Sequence, residues 1–253
     1  MKRVLTALVA CFPLWAAAAD EIRISMEGKD PPFEEIDEKG QLKGFNVDIA
    51  NALCAQMKAK CRFVVFPWDD QIPNLLAKKS DAILASMSIT EERKKLVAFS
   101  DRYMRTPNFF VARRKTIPYV YITPKRLVGK KIGVQADTTQ DAYLTAVYAG
   151  HSTIKRYTSN PDVYDALVKG EVDLGMFDAA AVHFAFLNTP RGKDFELVGS
   201  AMTDTKYLGE GAGIAFRKED RELRERFNKA LHEILENGVY QETQRKYFIF
   251  NVY

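Results

Sequence analysis

Cysteine and histidine are scarce in this sequence, and their placement excludes the common metal centres. The 253 residues contain three cysteines and three histidines. None of His151, His183 and His232 lies in a ligand-spaced pair. Cys54 and Cys61 are the only cysteines after the N-terminal segment, and two cysteines alone do not complete a structural zinc site. We therefore predict neither a metal site nor a cofactor.

The signature motifs of several enzyme classes are also missing. The sequence has no G-x-S-x-G nucleophile elbow and no G-x-x-x-x-G-K-[ST] phosphate loop. The glycine-rich run 209–213 does not complete a dinucleotide-binding fingerprint, because position 214 is Ile. Asp178 and His183 lie five residues apart at a predicted helix start, which is poor geometry for a catalytic triad. We predict no catalytic residue and interpret 209–213 as a tight turn before a strand.

Neither sign of charge dominates the chain. It has 37 Lys and Arg against 33 Asp and Glu, a net charge of +4. Residues 1–19 hold Lys2 and Arg3 and no acid, so the net charge without them is +2. Such a balance argues weakly against nucleic acid as a partner.

The first 19 residues have the pattern of a signal peptide. A basic start precedes an apolar run over 4–15 and four alanines at 16–19. The run is too short to span a bilayer, and no later stretch approaches the roughly 18 apolar residues that a spanning helix needs. We expect a secreted protein whose mature chain starts near Asp20. Lipidation at Cys11, which follows the residues L-V-A, is the minority alternative.

The periodicity of apolar residues divides the remaining chain into two similar α/β halves. In the first half we predict a loop over 27–32 and a hairpin over 33–45, with strands over 21–26, 61–66 and 81–84 and helices from 46 or 48 and over 70–79. In the second half we predict strands over 131–134, 153–157, 173–177 and 195–198, and helices over 138–149, 160–169 and 179–187. A strand over 213–216 and helices over 219–237 and 241–248 follow. Cys54 falls late in a helix and Cys61 opens a strand, so an oxidising compartment favours a disulfide between them.

A repeated βαβαβ pattern implies an α/β fold of two lobes, each with a mostly parallel sheet flanked by helices. We assign the signal peptide to 1–19, the first lobe to 20–106, the second lobe to 107–206 and a return segment of the first lobe to 207–253. A hinge is expected near 103–108 and 205–208. Ligands of such sheets bind beyond the carboxyl ends of the strands, where the loops 27–30, 67–69, 85–88, 135–140 and 177–178 fall.

The segment from Ser86 to Arg93 is the best candidate binding element. It offers two serine hydroxyls, a helix start capped by Thr90, and a guanidinium that is able to grip a carboxylate in two places. The alternative is an exposed Arg93 paired with Glu92 or Asp101. The convergence of polar loops at one cleft favours the binding site.

These segments resemble the periplasmic amino-acid-binding proteins of ABC importers. The resemblance rests on 44–49 (GFNVDI), 81–93 (DAILASMSITEER) and 97–101 (VAFSD), and it extends over 21–253. It is closest to the branch that binds lysine, arginine, ornithine and histidine. The resemblance implies the type II, or Venus-flytrap, two-lobed fold, a periplasmic location and transient docking to the permease, and we expect a monomer.

The resemblance also implies roles for individual residues. Arg93 corresponds to the arginine that binds the ligand's α-carboxylate, and Asp178 to the acid that binds its α-ammonium group. Trp68 corresponds to an aromatic that stacks on the ligand side chain, and Glu27 to an acid that faces its distal cation. Further ligand-binding positions are implied at Ser86, Ser88, Thr138, Thr139 and Gln140.

The sequence departs from the family pattern at four positions of this set of loops. Asp30 stands where an aromatic is usual, Ala85 lacks a common hydroxyl, and Gln135 and Phe177 also differ. Glu27 and Asp30 together favour a cationic side chain, and the alternative is that Asp30 caps a turn or pairs with Lys29. We therefore predict a solute-binding component for a polar, cationic L-amino acid or derivative. The alternatives are a neutral or acidic amino acid, an opine-like conjugate, or a dehydratase-type enzyme on the same fold.

Overall fold

The computed structural model describes residues 21–117 and 121–253. The predicted signal peptide and the alternative lipidation site at Cys11 lie outside these ranges. Across the two described ranges, no helix combines the length and the apolar character needed to cross a membrane.

The described chain alternates between short strands and helices. The strands in chain order are β1 (Glu21–Met26), β2 (Lys29–Asp30), β3 (Glu34–Ile36), β4 (Leu42–Lys43), β5 (Lys60–Val65), β6 (Ala82–Ile83), β7 (Ala98–Met104), β8 (Asn108–Arg113), β9 (Lys131–Gln135), β10 (Thr153–Tyr157), β11 (Leu174–Asp178), β12 (Phe195–Met202) and β13 (Ala212–Phe216). The helices are α1 (Phe45–Gln56), α2 (Gln71–Leu76), α3 (Glu91–Lys94), α4 (Thr139–Tyr148), α5 (Asn160–Lys169), α6 (Ala179–Val182), α7 (Thr205–Leu208), α8 (Arg221–Glu236) and α9 (Val239–Arg245). Short 3₁₀ turns occur at Trp68–Asp70 and Pro124–Leu127, and a π-helical turn at His183–Leu187.

Two five-stranded sheets form the centres of two lobes. The first sheet has the order β5-β1-β6-β13-β7, and β13 alone is antiparallel to its neighbours. The second sheet has the order β10-β9-β11-β8-β12, and β8 is again the one antiparallel strand. Four of the five strands in each sheet therefore run in the same direction, which confirms the predicted two-lobed α/β fold. The carboxyl ends of these strands provide the edge at which a ligand site is expected.

Each lobe has its own apolar core, built from the inward faces of its strands and helices. In the first lobe the fully buried Ile24, Phe45 and Phe227 lie in one cluster, where Phe45 packs edge-on against the ring of Phe248. In the second lobe the sheet is covered on one side by the cluster of Phe110 and on the other by that of Val163. These cores fix the strand ends relative to one another and so position the loops at the cleft.

The predicted disulfide is present. Cys54 near the end of α1 and Cys61 in β5 are bonded, with their Cα atoms 6.2 Å apart. The bond ties the helix to the outer strand β5 of the first sheet.

The chain passes between the lobes twice. The first passage lies between β7 and β8, and the second between β12 and β13. Residues 205–208, near which a hinge is expected, form α7, and Leu208 packs in the core of the second lobe, so the hinge position stays a prediction. Gly209–Gly211 follow α7; Gly209 and Gly211 have positive φ, and a Cβ on Gly209 would lie 2.5 Å from the Ile89 carbonyl oxygen. The lobe boundaries at 106 and 206 stay predictions.

Several element bounds differ from the sequence prediction. Lys29 and Asp30, predicted as loop, form β2 because the chain turns back at 31–33 and pairs them with Glu35 and Glu34 of β3. Helix α1 begins at Phe45, directly after the positive-φ Gly44, rather than at 46 or 48. The predicted helix over 179–187 divides into α6 and the π-helical turn.

Candidate functional site

A cavity of about 310 Å³ lies between the two lobes, at the carboxyl ends of the parallel strands. Its walls come from both sheets and from the connections between them. All ten sequence-predicted site residues line it: Glu27, Asp30, Trp68, Ser86, Ser88 and Arg93 from the first lobe, and Thr138, Thr139, Gln140 and Asp178 from the second. The structure thus brings the predicted set together, while the role of each residue in binding stays a proposal.

The strand ends explain why these residues meet. Glu27 directly follows β1, Ser86 and Ser88 follow β6, and Asp178 is the last residue of β11. Strands β1 and β6 are neighbours in one sheet, and β11 lies at the centre of the other. Residues distant in sequence therefore converge on one opening, as the strand order of such sheets requires.

Ser86 is held by a buried hydrogen-bond network. Its φ of 53° is unusual for a residue with a side chain, and its backbone N–H donates to the Tyr103 hydroxyl at 3.0 Å. That hydroxyl donates to Asn46 Oδ1 at 2.9 Å, and Asn46 Nδ2 donates to Ser86 Oγ at 3.0 Å. Tyr103 and Asn46 are fully buried. The strained backbone is thus fixed from beneath, a common arrangement where a side chain is preorganised for binding.

Arg93 faces the cleft from the first turn of α3, whose N-terminus is capped by Thr90. Its Nη1 donates to the Ser88 carbonyl oxygen at 3.1 Å, and its Nη2 to the Asp137 carbonyl oxygen of the second lobe at 3.4 Å. The guanidinium lies 5.2 Å from the centre of the Trp68 ring. Burial lowers the pKa of Arg93 to about 10, which leaves it a cation at neutral pH.

The exposed ion pair that sequence analysis kept as the alternative is not formed. Glu92 instead accepts a hydrogen bond from Lys95 at 2.6 Å, and Asp101 lies 3.0 Å from His232 Nε2. In the described part of the chain, no acidic side chain pairs with Arg93. Its charge is available to an anion in the cleft.

Asp178 lies on the opposite wall. Its Oδ1 accepts from the backbone N–H groups of Ala180 at 2.8 Å and Ala181 at 3.1 Å, so it caps α6. Its Oδ2 accepts a hydrogen bond from the Thr106 hydroxyl in the first passage between the lobes. Burial raises the pKa of Asp178 above its ordinary value, although these hydrogen bonds oppose the shift.

Two more acids of the first lobe project into the cleft, and each contacts an amide of the second lobe. Glu27 accepts from Gln135 Nε2 at 3.0 Å, and burial raises the pKa of Glu27 to about 7. Asp30 accepts from Asn160 Nδ2 at 3.3 Å. Burial raises the pKa of Asp30 to about 8, and the nearby Asp178 and Glu27 carboxylates add to the shift.

The expected alternative for Asp30 is not observed, because its side chain contacts Asn160 across the cleft rather than capping a turn. Lys29 forms none of the ion pairs found within the described ranges. Asp30 thus faces the site with one neutral hydrogen-bond donor.

The second lobe contributes the N-terminus of the ten-residue helix α4. Thr138 is its N-cap and accepts from the Asp141 N–H at 3.2 Å, and Thr139 and Gln140 form its first turn. Gln140 Nε2 donates to Asn108 Oδ1 at 2.7 Å, which fixes that amide against the wall. Backbone N–H groups at a helix start favour an anion, so this end complements the Arg93 side of the cleft.

Five residues in or around the site were not predicted from the sequence. Glu34, assigned only to a hairpin, is 1% exposed, and it accepts from the Glu27 N–H at 3.3 Å and from Asn46 Nδ2. Burial raises its pKa well above the ordinary value. Tyr164 has a buried hydroxyl without a hydrogen-bond partner in the described structure, and burial and the neighbouring Asp30 and Asp178 raise its pKa. No local motif marks these positions; the full missed set is Glu34, Asn46, Tyr103, Asn160 and Tyr164.

The arrangement has two electrostatic poles. One pole joins Arg93 to the start of α4 and suits a carboxylate, and the other joins Asp178, Glu27 and Asp30 and suits cations. A zwitterion that leaves water needs both of its charges matched, because an unpaired buried charge is very unfavourable. Among the described residues, no group of three or more His, Cys, Asp or Glu has an arrangement suited to a metal ion.

Comparisons with known proteins match this architecture. Residues 22–250 fit the model of the bacterial extracellular solute-binding proteins, family 3. The lysine/arginine/ornithine-binding periplasmic protein of Escherichia coli (strain K12) is 38% identical over 251 residues, which are 99% of this chain and 96% of that protein. The L-arginine-binding protein of Pseudomonas aeruginosa is 43% identical over 240 residues, 94% of this chain and 91% of that protein.

A solved structure agrees at the level of the whole fold. It is a periplasmic binding protein of Salmonella typhimurium with high arginine specificity, and it superimposes with a TM-score of 0.82 at 31% sequence identity. The superposition covers 91% of this chain and 100% of that chain. The matched relatives are binding proteins, and the family model covers nearly all of the described residues. The chain belongs to the bacterial extracellular solute-binding proteins, family 3.

Proposed function

We propose that this protein is the solute-binding component of an ABC amino-acid importer and that it captures a cationic L-amino acid in the interlobe cleft. The ligand's α-carboxylate binds Arg93 and the start of α4, and its α-ammonium group binds Asp178. Its side chain lies along Trp68 and ends at Glu27 and Asp30. The protein then docks transiently as a monomer on the permease and releases the ligand unchanged.

The observation that carries this proposal is the excess of acids in the cleft lining, where Glu27, Asp30, Glu34 and Asp178 stand against Arg93 and Arg105. Arg93 and Asp178 match the two charges that every α-amino acid carries. Glu34 accepts a hydrogen bond from Asn46, so Glu27 and Asp30 remain. Burial raises the pKa of both in the protein alone, and repulsion from the Asp178 and Glu27 carboxylates further raises the pKa of Asp30. A distal guanidinium or ammonium group relieves that repulsion, whereas a neutral or acidic side chain does not. The similarity to lysine-, arginine- and ornithine-binding relatives supports the same ligand class.

The test is a thermal-shift screen of all L-amino acids and opine-like conjugates, followed by calorimetry. We expect arginine, lysine or ornithine to give the largest stabilisation and neutral glutamine a smaller one. Arg93→Ala should weaken every α-amino-acid ligand by about 2–5 kcal/mol, because it leaves the ligand carboxylate buried and unpaired. Unchanged affinity in that variant would sink the α-carboxylate assignment, and preference for glutamine or an acidic amino acid would overturn the cationic class.

A dehydratase-type enzyme on the same fold is the alternative from another class. It predicts that the bound amino acid is chemically altered after incubation. Binding alone predicts that mass spectrometry recovers the added amino acid intact once the protein is denatured.

Export to the periplasm belongs to the same proposal. The relatives named above include a periplasmic protein, and the first 19 residues have a signal-peptide pattern. Cell fractionation combined with N-terminal sequencing distinguishes cleavage near Asp20 from lipidation at Cys11.

A further inference from the structure

Two amides of the second lobe make matching contacts with the two acids of the distal cation site. Gln135 ends β9 and donates to Glu27 Oε1 at 3.0 Å, and Asn160 begins α5 and donates to Asp30 Oδ1 at 3.3 Å. Neither amide was among the predicted ligand-binding residues. Both contacts join the first lobe to the second.

The orientation of the Gln135 amide is fixed by a second hydrogen bond. The same Nε2 donates to the Thr158 carbonyl oxygen at 3.3 Å. A carbonyl oxygen only accepts, so the NH₂ end of the amide has to face both Thr158 and Glu27. Gln135 is 5% exposed, which means that its rotation is restricted by packing as well.

The donors in both contacts are neutral amides, and this neutrality determines whether Glu27 and Asp30 are still able to bind a cation. A lysine or arginine at either position would neutralise the acid and repel a cationic ligand. An apolar side chain would leave the carboxylate without a partner on the second lobe. An amide orients the carboxylate and leaves its negative charge to the ligand.

We propose that Gln135 and Asn160 are positioning residues that set the selectivity of the cleft for cationic side chains. Each aligns one first-lobe carboxyl group as the lobes close and brings no positive charge to it, so that a cationic ligand is left to pair with it. The distal cation site is therefore completed only in the closed form, and a ligand with a cationic side chain gains more from closure than a neutral ligand of the same shape. This inference rests on the proposed function and adds the residues that enforce it.

The experiment compares L-arginine with L-citrulline, its neutral isostere, by calorimetry. The variants are Gln135→Leu, Gln135→Lys and Asn160→Leu, and Asn188→Leu on an exposed amide of the same lobe is the matched control. In Gln135→Leu and Asn160→Leu, the arginine affinity should fall about tenfold while the citrulline affinity changes less than about threefold. In Gln135→Lys, the arginine affinity should fall about a hundredfold while citrulline binding persists, because Glu27 is already paired.

Each outcome has a defined meaning. Loss of both ligands in equal proportion, or an unchanged arginine-to-citrulline ratio in both leucine variants, overturns the inference. Retained arginine binding in Gln135→Lys overturns it as well. If Gln135→Leu shows no cooperative thermal transition, it is not folded. The arginine-to-citrulline affinity ratios of Gln135→Met and Asn160→Leu are then judged by the same criterion. A wild-type protein that binds neither arginine nor lysine refutes the proposed function instead, so the two failures are distinguishable.

Discussion

The acids at the distal end of the cleft predict that ligand binding depends on pH. The pKa of Glu27 is raised to about 7 and that of Asp30 to about 8 in the protein alone, mainly by burial. Asp178 and Glu27 further raise the pKa of Asp30, whereas the Gln135 hydrogen bond and Lys29 oppose the shift at Glu27 and Asp69 adds to it. A bound guanidinium lowers both values, so binding a cation releases protons. The affinity for arginine should therefore rise as pH rises.

The size of the effect follows from the two pKa values. Glu27, with a pKa of about 7, is about nine-tenths protonated at about pH 6 and about one-tenth protonated at about pH 8, which gives about a tenfold change in affinity. Asp30, with a pKa of about 8, adds up to about fiftyfold over the same range. The expected rise between about pH 6 and about pH 8 thus lies between about tenfold and about 500-fold, depending on how fully each acid ionises in the complex.

The assay is calorimetry at several pH values in buffers with different ionisation enthalpies, which counts the protons released. Glu27→Gln should remove the smaller share of the pH dependence and Asp30→Asn the larger one. Citrulline serves as the ligand control, since it brings no charge to either acid. An arginine affinity that stays constant from about pH 6 to about pH 8, with no proton release, refutes the reasoning.

Three further predictions concern the protein itself. The pKa values of Glu27 and Asp30 in the folded protein lie above those of the unfolded chain, so without ligand the folded protein binds more protons than the unfolded chain between about pH 5 and about pH 8. Its Tm should therefore fall as pH rises across that window, and a constant or rising Tm contradicts this. Replacing both Cys54 and Cys61 with serine should lower the free energy of unfolding by about 2–3 kcal/mol in denaturant titrations, the amount expected for so short a loop, and an unchanged midpoint argues against it. Tyr103→Phe should lower it by about 1–3 kcal/mol and weaken amino-acid binding, because the hydroxyl links Asn46 to the strained Ser86; full affinity in this variant would show that the link is not needed.

Apolar runs and helix N-caps in the sequence predicted the fold well where they mark the ends of strands. The apolar run before Ser86 and the N-cap at Thr90 place a loop between a strand and a short helix, and both elements occur. Strand β1 was predicted with its observed bounds, Glu21–Met26. The repeated βαβαβ pattern was then enough to predict two lobes and a cleft, because ligands of parallel sheets bind at the carboxyl ends of the strands.

The contacts beneath the site were not predictable in the same way. Glu34 and Asn46 are 12 residues apart and bond side chain to side chain, and Asn160 meets Asp30 over a separation of 130 residues. Such contacts depend on the packing of entire elements, and no sequence motif around these four residues indicates which residue each of them contacts. Helix α7 was missed because it spans only four residues, and a helix this short depends on tertiary packing rather than on its own propensity.

The proposed function predicts that the ligand, more than the contacts between the lobes, stabilises the closed form. The contacts that join the lobes around the cleft include the bonds of Gln135 to Glu27 and of Asn160 to Asp30, and that of the Trp68 ring N–H to the Asp137 carbonyl oxygen at 3.0 Å. A typical hydrogen bond contributes about 0.5–1.5 kcal/mol net, so three amount to about 1.5–4.5 kcal/mol. Bringing the distal acids into a closed cleft opposes this gain, as their raised pKa values show. A cationic side chain reverses the sign of that electrostatic contribution, so the charge that selects the ligand is also the charge that drives closure.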